Sequence, residues 1–451
     1  MSSTALTLRV NDSKAIKSAE IKLADVTVLA GVNASGKSTL ARMFHQLINL
    51  SAFYPLYAKR EAWKPLVKWS SEIQYLHNRI SAPSGAILSL LGQMAREIDF
   101  EKMLEDGTFN DAIDRLKDYT LQNFRKINLQ DDEHKRAVEA FVGAVEINRG
   151  AVESLEDILD LFYDRLNACV DNYNAITRER RYHVYNSAIG VDPYISWLTD
   201  AKEVELEEGG NVVYSIRSEK DDKGIKLASM SPLREIYGIK NAIYIASPWV
   251  SIPDIDANKI LRLPFDGFPH SLYNQGAKNE DALFAELNGS VELDESSGQS
   301  EWKYIRSDGL RVRLVDCATG IKTLAILDIL YNRGYLNRET LLIIDEPEAH
   351  LHPQWIVEFA RILLKLAKDH GVHMLLTTHS PDMVHALRDF SEDSSFSENT
   401  CFYLSEKGDE NDKTFVYRNL GMNIGPIFSA FNVAKKNIGI VSKEIREGSG
   451  L

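Results

Sequence analysis

The residues best suited to chemistry form a glycine-bearing loop near the start of the chain. Residues 31–38 read GVNASGKS, which fits the phosphate-loop pattern GxxxxGK[ST]. The apolar run 26–30 precedes the loop and a helix is predicted from Lys37, so backbone N–H groups and the helix N-terminus would face phosphate. A chance match is the alternative, and the strand–loop–helix context argues against it. The residues predicted to bind a nucleotide here are Gly31, Asn33, Ala34, Ser35, Gly36, Lys37, Ser38 and Thr39.

Two acidic residues follow a second apolar run. Residues 341–347 read LLIIDEP, so a buried strand would end at the carboxylates of Asp345 and Glu346. Ligands bind at the carboxyl ends of the strands in open α/β sheets. At that edge Ser38 and Asp345 would hold Mg²⁺, and Glu346 would polarise the water that attacks a γ-phosphate. Paired acids are common by themselves, and the preceding strand and the phosphate loop are what favour a catalytic role.

A histidine ends a third apolar run. Residues 375–380 read LLTTHS, and His379 follows the predicted strand directly. At this strand end His379 would lie beside the γ-phosphate and Glu346, as a sensor or a water-positioning group. A lone histidine is more often structural, but the third strand-end position favours a functional role.

Together, the GVNASGKS, LLIIDEPEAHLHP and TTHSP segments resemble the ABC-type ATPase heads. More narrowly, they resemble the RecF/SMC/overcoming-lysogenisation-defect branch of bacterial AAA-annotated ATPases, the kind found in anti-phage defence systems such as Septu and PARIS. The resemblance covers roughly residues 1–50 and 300–385. It implies ATP and Mg²⁺ as ligands, and it assigns the three segments as Walker A, Walker B with the catalytic Glu346, and the switch His379.

The resemblance also implies a signature loop, which contacts the γ-phosphate held by a second head. The matching segment is CATGIK at 317–322, where Gly320 and Lys322 fit the family pattern. Ala318 stands where the family usually has a phosphate-contacting serine, and Thr319 could supply the hydroxyl instead. The alternative is that Thr319 is only the N-cap of a helix. The resemblance therefore implies a head-to-head homodimer, or a higher homo-oligomer built from such dimers.

The order of predicted elements indicates an α/β fold. Alternating runs around the turns Gly209-Gly210 and Asp308-Gly309 predict antiparallel hairpins. The apolar runs 341–345 and 372–378 alternate with helices, as in a parallel sheet that is buried on both faces. With the resemblance, we expect an ABC-type P-loop ATPase head that has a parallel-core sheet, an antiparallel β subdomain and a helical insertion.

The domain prediction is a split head at 1–55 and 200–430. A helical insertion at 56–199 interrupts it, as a lid, an arm or a partner-binding module. Its apolar residues recur at helical spacing without sustained heptads, which predicts a compact helical module rather than a long coiled coil. Residues 431–451 are predicted to form an amphipathic C-terminal tail.

Several other groups have simpler explanations than chemistry. His350 and His352 fall in the family's D-loop segment, where helix entry and dimer contact explain them without a metal ion. The family's Q-loop glutamine has no supported match, and Gln74 and Gln93 are candidates by residue type alone. The basic cluster at 177–183 could contact nucleic acid or a partner, but a solvated helix face is the simpler interpretation.

Composition limits the class of protein. The 451 residues include 52 basic and 65 acidic side chains, for a net charge of −13, which argues against a surface devoted to nucleic acid but leaves room for a local basic groove. Three scattered cysteines indicate a reducing cytoplasm and no disulfide framework. No apolar run approaches the roughly 20 residues that a membrane helix needs, and no secretory signal is recognisable, so we expect a cytoplasmic protein without membrane contact.

These observations predict an Mg²⁺-ATP hydrolase without an effector of its own, because the sequence has no recognisable HNH, zinc or toprim-like pattern. The leading hypothesis is a sensor or regulator of a separate effector protein, a nuclease, in bacterial anti-phage defence. One alternative is a DNA-repair ATPase that binds DNA directly. Another is a nucleotide-binding scaffold that hydrolyses little because of Ala318. Nucleic acid would be reached through the partner or through a local basic patch.

Overall fold

The structure is a computed structural model of the chain. It describes residues 6–80, 85–94, 102–103, 106, 108–127, 130–144, 155–179, 181–182, 185–186, 190–191, 200–221, 224–231, 233–245, 289–294, 301–349, 351–408 and 412–431. The predicted C-terminal tail, apart from Phe431, lies outside these residues, as does His350.

The strands are, in chain order, β1 (Leu6–Ser13), β2 (Ile16–Lys22), β3 (Val26–Ala30), β4 (Arg181–Tyr182), β5 (Tyr185–Asn186), β6 (Gly190–Val191), β7 (Ala201–Glu208), β8 (Asn211–Asp221), β9 (Gly224–Met230), β10 (Leu233–Arg234), β11 (Asn241–Ile245), β12 (Gly289–Asp294), β13 (Glu301–Arg306), β14 (Arg311–Arg313), β15 (Thr340–Asp345), β16 (His373–Thr378), β17 (Thr400–Lys407) and β18 (Phe415–Gly421). The α-helices are α1 (Lys37–Ile80), α2 (Gly85–Met94), α3 (Phe109–Phe124), α4 (Asp132–Ala144), α5 (Leu155–Glu179), α6 (Thr319–Asn332), α7 (Pro353–His370), α8 (Pro381–Asp393) and α9 (Gly425–Phe431).

Eleven strands of the described part of the chain form one mixed sheet. Their order across the sheet is β11-β15-β16-β3-β17-β18-β2-β1-β7-β8-β9. The first five strands run parallel to one another. Within the series β2-β1-β7-β8-β9, each strand pairs antiparallel with the next. The predicted fold class, a parallel core joined to an antiparallel subdomain, is confirmed by this topology.

The parallel half of the sheet is buried on both faces. Every residue of β3 and of β15 is buried, as their continuous apolar runs predict. One hydrophobic core cluster joins residues of β3, β15 and β16 with apolar residues of α6, α7 and α8. Pro353 opens α7 and Pro381 opens α8, where a missing N–H costs no helix hydrogen bond. Because β15, β16 and β3 run parallel, their carboxyl ends lie at the same edge of the sheet.

The chain forms two compact units. One comprises residues 1–53 and 183–451, and the other comprises residues 54–182. The second unit has its own core, in which Phe141, Phe162 and Tyr173 are fully buried. The predicted division into a split head and a helical insertion stays a prediction.

α1 is longer than the sequence predicted. The pattern suggested a helix from Lys37 to about Leu50, whereas α1 continues to Ile80. Pro55 and Pro65 favour an end, because proline removes a helix hydrogen bond. Leu50 is buried before the two prolines and Ile73 after them, and burial of apolar side chains is what stabilises most helices in proteins. Among the described residues, no helix combines the length and apolar character needed to cross a membrane.

Candidate active site

The phosphate loop follows β3 and is shaped by two close approaches. A Cβ on Gly31 would lie 1.8 Å from Ser405 Oγ, at the neighbouring strand β17. A Cβ on Gly36 would lie 2.6 Å from Ile16 Cγ1, and Gly36 also has a φ of 97°. Gly31 has a φ of 153°, so both positions need glycine for lack of space and for backbone conformation. Within the loop Ala34 also has a positive φ, 61°, so the turn is tight throughout.

The ammonium group of Lys37 lies inside this loop. Its Nζ donates to the carbonyl oxygens of Gly31 at 2.9 Å and Val32 at 2.8 Å. Burial lowers the pKa of Lys37, and the charges of nearby carboxylates, Glu346 first, oppose that change. The loop thus holds a desolvated cation where the sequence placed the phosphate-binding lysine.

Ser38 and Asp345 meet although most of the chain separates them in sequence. Ser38 Oγ donates to Asp345 Oδ1 at 2.9 Å. The same carboxylate oxygen accepts a hydrogen bond from Thr377 Oγ1. Asp345 Oδ2 accepts from the hydroxyl of Tyr244 at 2.8 Å. The predicted metal pair is therefore brought together, with two supporting donors that the sequence did not identify.

Glu346 sits on a strained turn directly after β15. Its φ is 55°, which lies in a backbone region that residues other than glycine rarely adopt. Its backbone N–H donates to the Thr377 carbonyl at 2.9 Å, and this hydrogen bond stabilises the unfavourable conformation. The carboxylate remains 37% exposed at the sheet edge. The turn thus aims a solvent-accessible carboxylate away from the buried strand.

His379 is next to Glu346, as its strand-end position predicts. Its Nδ1 lies 3.5 Å from Glu346 Oε1, and the side chain is 43% exposed. β16 lies between β15 and β3, so His379 shares the edge with both the carboxylates and the phosphate loop. Asp345, Glu346, His379 and the loop consequently form one constellation.

The remaining loop residues differ in exposure. Asn33 and Ala34 are exposed, Ser35 is buried and Thr39 is partly buried. The backbone carbonyl of Ser35 accepts from the Tyr417 hydroxyl at 3.2 Å, which ties the loop to β18. The loop's outer turn is thus the part open to a ligand.

The predicted signature segment lies at the start of α6. Ala318 is the N-cap, without a side-chain cap hydrogen bond, and Thr319 is the first helical residue. The alternative that Thr319 is the N-cap is therefore wrong; its side chain lies outside the described ones. A Cβ on Gly320 would lie 3.4 Å from Leu351 Cδ2. No described contact joins Gly320 or Lys322 to the phosphate loop of the same chain.

Tyr244 is, with Thr377, a supporting residue that sequence reasoning missed. It lies in the edge strand β11, paired with Ile343 of β15. Burial and the charge of Asp345 raise the pKa of its hydroxyl, so the hydroxyl remains a donor. The guanidinium of Arg42 lies 5.9 Å from its ring centroid. The strand at 241–247 was predicted, but its pairing with β15 has no sequence signal.

Of the two histidines at 350 and 352, the structure describes His352, which lies at the start of a helix. His352 is the N-cap of α7, and its Nδ1 accepts from the Gln354 N–H at 3.4 Å. The described residues contain no group of three His, Cys, Asp or Glu that could hold a metal ion. Side chains of the basic cluster 177–183 lie outside the described ones.

Comparison with families finds one match. Residues 226–384 match the family model described as "AAA domain, putative AbiEii toxin, Type IV TA system". The match spans about a third of the chain and contains Asp345, Glu346 and His379, but not the phosphate loop. This region is therefore similar to the AAA domain of that family. A search of curated proteins found no match.

Solved structures with some likeness to the chain include SMC heads. "SMC head domain from Thermotoga maritima" is 11% identical, covers 92% of this chain and 98% of that chain, and has a TM-score of 0.37. The SmcHead bound to the C-winged helix domain of ScpA is 11% identical, covers 93% and 98%, and also scores 0.37. A Smc head with an extended coiled coil, bound to the C-terminal domain of ScpA derived from Pyrococcus furiosus, is 10% identical, covers 98% and 99%, and scores 0.31. At these scores the likeness carries no argument about function.

Proposed function

We propose that this chain binds Mg²⁺-ATP and hydrolyses it at the edge formed by the phosphate loop and the ends of β15 and β16. The observation that carries the proposal is the contact of Ser38 with Asp345 beside the Lys37 loop, with Glu346 and His379 at the same edge. A cation, an oxygen-ligand pair and an exposed carboxylate are the groups that phosphoryl transfer to water requires.

The loop supplies phosphate binding. Its glycines bring the backbone close to an anion, and the N-terminus of α1 adds partial positive charge. Lys37 Nζ now donates to two loop carbonyls, and phosphate oxygens would compete for the same protons. A polyphosphate would stabilise the ammonium charge that burial disfavours.

Ser38 and Asp345 fit a magnesium site. Hydroxyl and carboxylate oxygens are the ligands that Mg²⁺ prefers, and these two groups lie 2.9 Å apart. When bound, the metal neutralises charge that develops on the phosphates. Ser38 would bind it directly and Asp345 through water, while Tyr244 and Thr377 hold the carboxylate in place.

Glu346 and His379 supply the chemistry on the attacking water. The Glu346 carboxylate is accessible, and it can accept the water proton as the water attacks. His379 lies against that carboxylate and can position the water or contact a phosphoryl oxygen. The strained φ of Glu346 sets the direction in which its side chain leaves the turn.

Titration calorimetry with Mg²⁺-ATP tests the binding step. Lys37→Ala should abolish measurable binding, because it removes the cation from the loop. Lys240→Ala is the control, since this lysine pairs with Glu339 at the start of β11, outside the proposed site. A wild-type chain that binds no ATP would contradict the proposal.

Head-to-head pairing extends the proposal to two copies. The start of α6 has no side-chain cap, so its first N–H groups could donate to an anion. Thr319, Gly320 and Lys322 would then face nucleotide held by the second copy. We expect a dimer in size-exclusion chromatography when ATP is bound and hydrolysis is blocked, and a monomer for the Lys37→Ala chain. If the wild-type chain with bound ATP is also a monomer, this part of the proposal is wrong.

The biological role we propose is regulation of a separate effector, a nuclease, in anti-phage defence. The family description names a toxin–antitoxin system, which supports action together with a second protein; it does not name a nuclease. Purification from the native operon should recover a second protein. Recovery of this chain alone would remove the effector role and leave the ATPase intact. ATPase activity that duplex DNA stimulates, with a steep salt dependence, would favour the DNA-repair alternative.

A further inference from the structure

Glu348 is a buried carboxylate that the proposed mechanism does not use. Its side chain is 5% exposed, and it lies two residues after Glu346. Its Oε1 accepts from Thr378 Oγ1 at 2.7 Å and from the His379 backbone N–H at 3.0 Å. These bonds tie the turn after β15 to the end of β16.

The same carboxylate also contacts the imidazole. Oε1 of Glu348 lies 3.4 Å from His379 Nδ1, and Glu346 Oε1 lies 3.5 Å from the same nitrogen. One ring nitrogen therefore faces a buried carboxylate and an exposed one. The other ring nitrogen, Nε2, is on the opposite edge of the ring.

A structural role alone does not explain a charge here. Burying a carboxylate is costly unless its oxygens are paired, and Glu348 Oε2 has no hydrogen-bond partner among the described residues. A neutral glutamine could accept from Thr378 and from the backbone equally well. Two neighbours favour a carboxylate over an amide here: the imidazole of His379, and the ammonium of Lys37, whose pKa the charge of Glu348 acts to raise.

We propose that Glu348 is a positioning residue for His379 in the proposed hydrolysis. Its Oε1 holds Nδ1–H, which fixes the orientation of the ring and directs Nε2 toward the γ-phosphoryl group of ATP. Glu346 remains the group that accepts the proton of the water. The inference rests on the proposed ATPase function and concerns only how His379 is held.

Glu348→Gln in the full-length chain is the first test. It preserves the size of the side chain and an oxygen acceptor, but removes the charge. We expect kcat to fall about tenfold, which is the scale of one hydrogen bond to a charged group, with little change in KM for ATP. Glu348→Asp retains the charge but withdraws it from the ring, and should lower kcat in the same way.

The double variants decide between positioning and structure. If Glu348 acts through His379, either Glu348 substitution should cause no further loss of kcat in a His379→Ala background. An equal fold-loss in both backgrounds, or a loss that follows a lowered unfolding midpoint, would overturn the inference. The ATPase proposal would survive that result. A wild type that does not hydrolyse ATP overturns the ATPase proposal and this inference with it.

Discussion

Asp345 accepts hydrogen bonds from the side chains of Ser38, Thr377 and Tyr244. The carboxylate is buried, and such donors offset the loss of its hydration. They also restrict its rotation, so a Mg²⁺ ion bound as we propose would meet an oxygen of fixed orientation. The loss of groups that orient a ligand in this way typically lowers metal affinity about 10–100-fold.

Tyr244→Phe should raise the Mg²⁺ concentration needed for half-maximal ATPase activity by roughly tenfold. The hydroxyl that holds Asp345 Oδ2 would be lost while the ring remains. The measurement is ATPase rate against Mg²⁺ concentration at saturating ATP. Tyr403→Phe is the matched control, because that hydroxyl bonds to the backbone of Lys22. An unchanged Mg²⁺ requirement in Tyr244→Phe would show that Tyr244 does not support the site.

Sequence reasoning identified the residues to which we assign chemical roles, but it missed the residues that contact them. Asp345 ends an apolar strand, and Lys37 and His379 come after one, so their positions have local signals. The contacts of Tyr244 and Glu348 join segments that are distant in sequence. Such contacts depend on the order of strands in the sheet, which no local spacing encodes.

At the scale of elements, β17 constrains the phosphate loop from the side. Its residues Tyr403 and Leu404 pair with the last two residues of β3, which brings Ser405 against Gly31. Ser405 Oγ is buried without a hydrogen-bond partner in the described part of the chain. The close contact therefore excludes any side chain at residue 31.

Gly31→Ala should lower the free energy of unfolding by about 1–3 kcal/mol, because the new methyl group would overlap Ser405. Adding Ser405→Gly should recover part of that loss, since it removes both clashing atoms. Urea unfolding of the two variants and of Ser405→Gly alone measures the coupling. Strictly additive effects would mean that Ser405 is not the obstacle.

His45 links α1 to the edge strand β11. Its ring lies 5.7 Å from the Tyr244 ring, and burial lowers its pKa to about 4. The unfolded chain, with a pKa near 6.5, takes up a proton first as the pH falls. The contribution of neutral His45 to the free energy of unfolding is therefore fully present above about pH 6.5. It is lost progressively as the pH falls to about 4.

His45→Phe should remove this part of the pH dependence. We expect the free energy of unfolding of the wild type, measured by urea titration, to fall between pH 6.5 and 4 by about 2–3 kcal/mol more than that of the variant. Parallel curves for the two proteins would show that folding does not lower the pKa of His45.

Local patterns predicted most elements of the parallel core and both hairpins, because buried strands and glycine turns have distinct signatures. The length of α1 was not predictable in the same way. Pro55 and Pro65 are strong local signals for an end, whereas tertiary packing decided in favour of continuation. Helix ends set by packing lie beyond what spacing alone can indicate.

At the scale of the whole molecule, the two compact units have separate cores. Phe162 is fully buried in the helical unit, and Phe359 is buried in the core of the sheet unit. Phe→Ala in a core costs about 3–5 kcal/mol. We expect Phe359→Ala to weaken ATP binding, because α7 packs against the strands that carry the site, and Phe162→Ala to leave the affinity nearly unchanged.

Calorimetric titration with ATP at a temperature where both variants remain folded, as judged by circular dichroism, makes this comparison. Equal loss of affinity in the two variants would contradict the assignment of nucleotide binding to the sheet unit alone.

The central claim is that Glu346 activates water at an ATP site built from the phosphate loop, Ser38 and Asp345. The most direct measurement is phosphate release from Mg²⁺-ATP by the wild type and by Glu346→Gln, with ATP affinity measured on the same samples. We predict equal affinities and a rate at least about 100-fold lower in the variant, because glutamine cannot accept the proton of the water. A variant that releases phosphate at the wild-type rate, or a wild type that releases none, would contradict the claim.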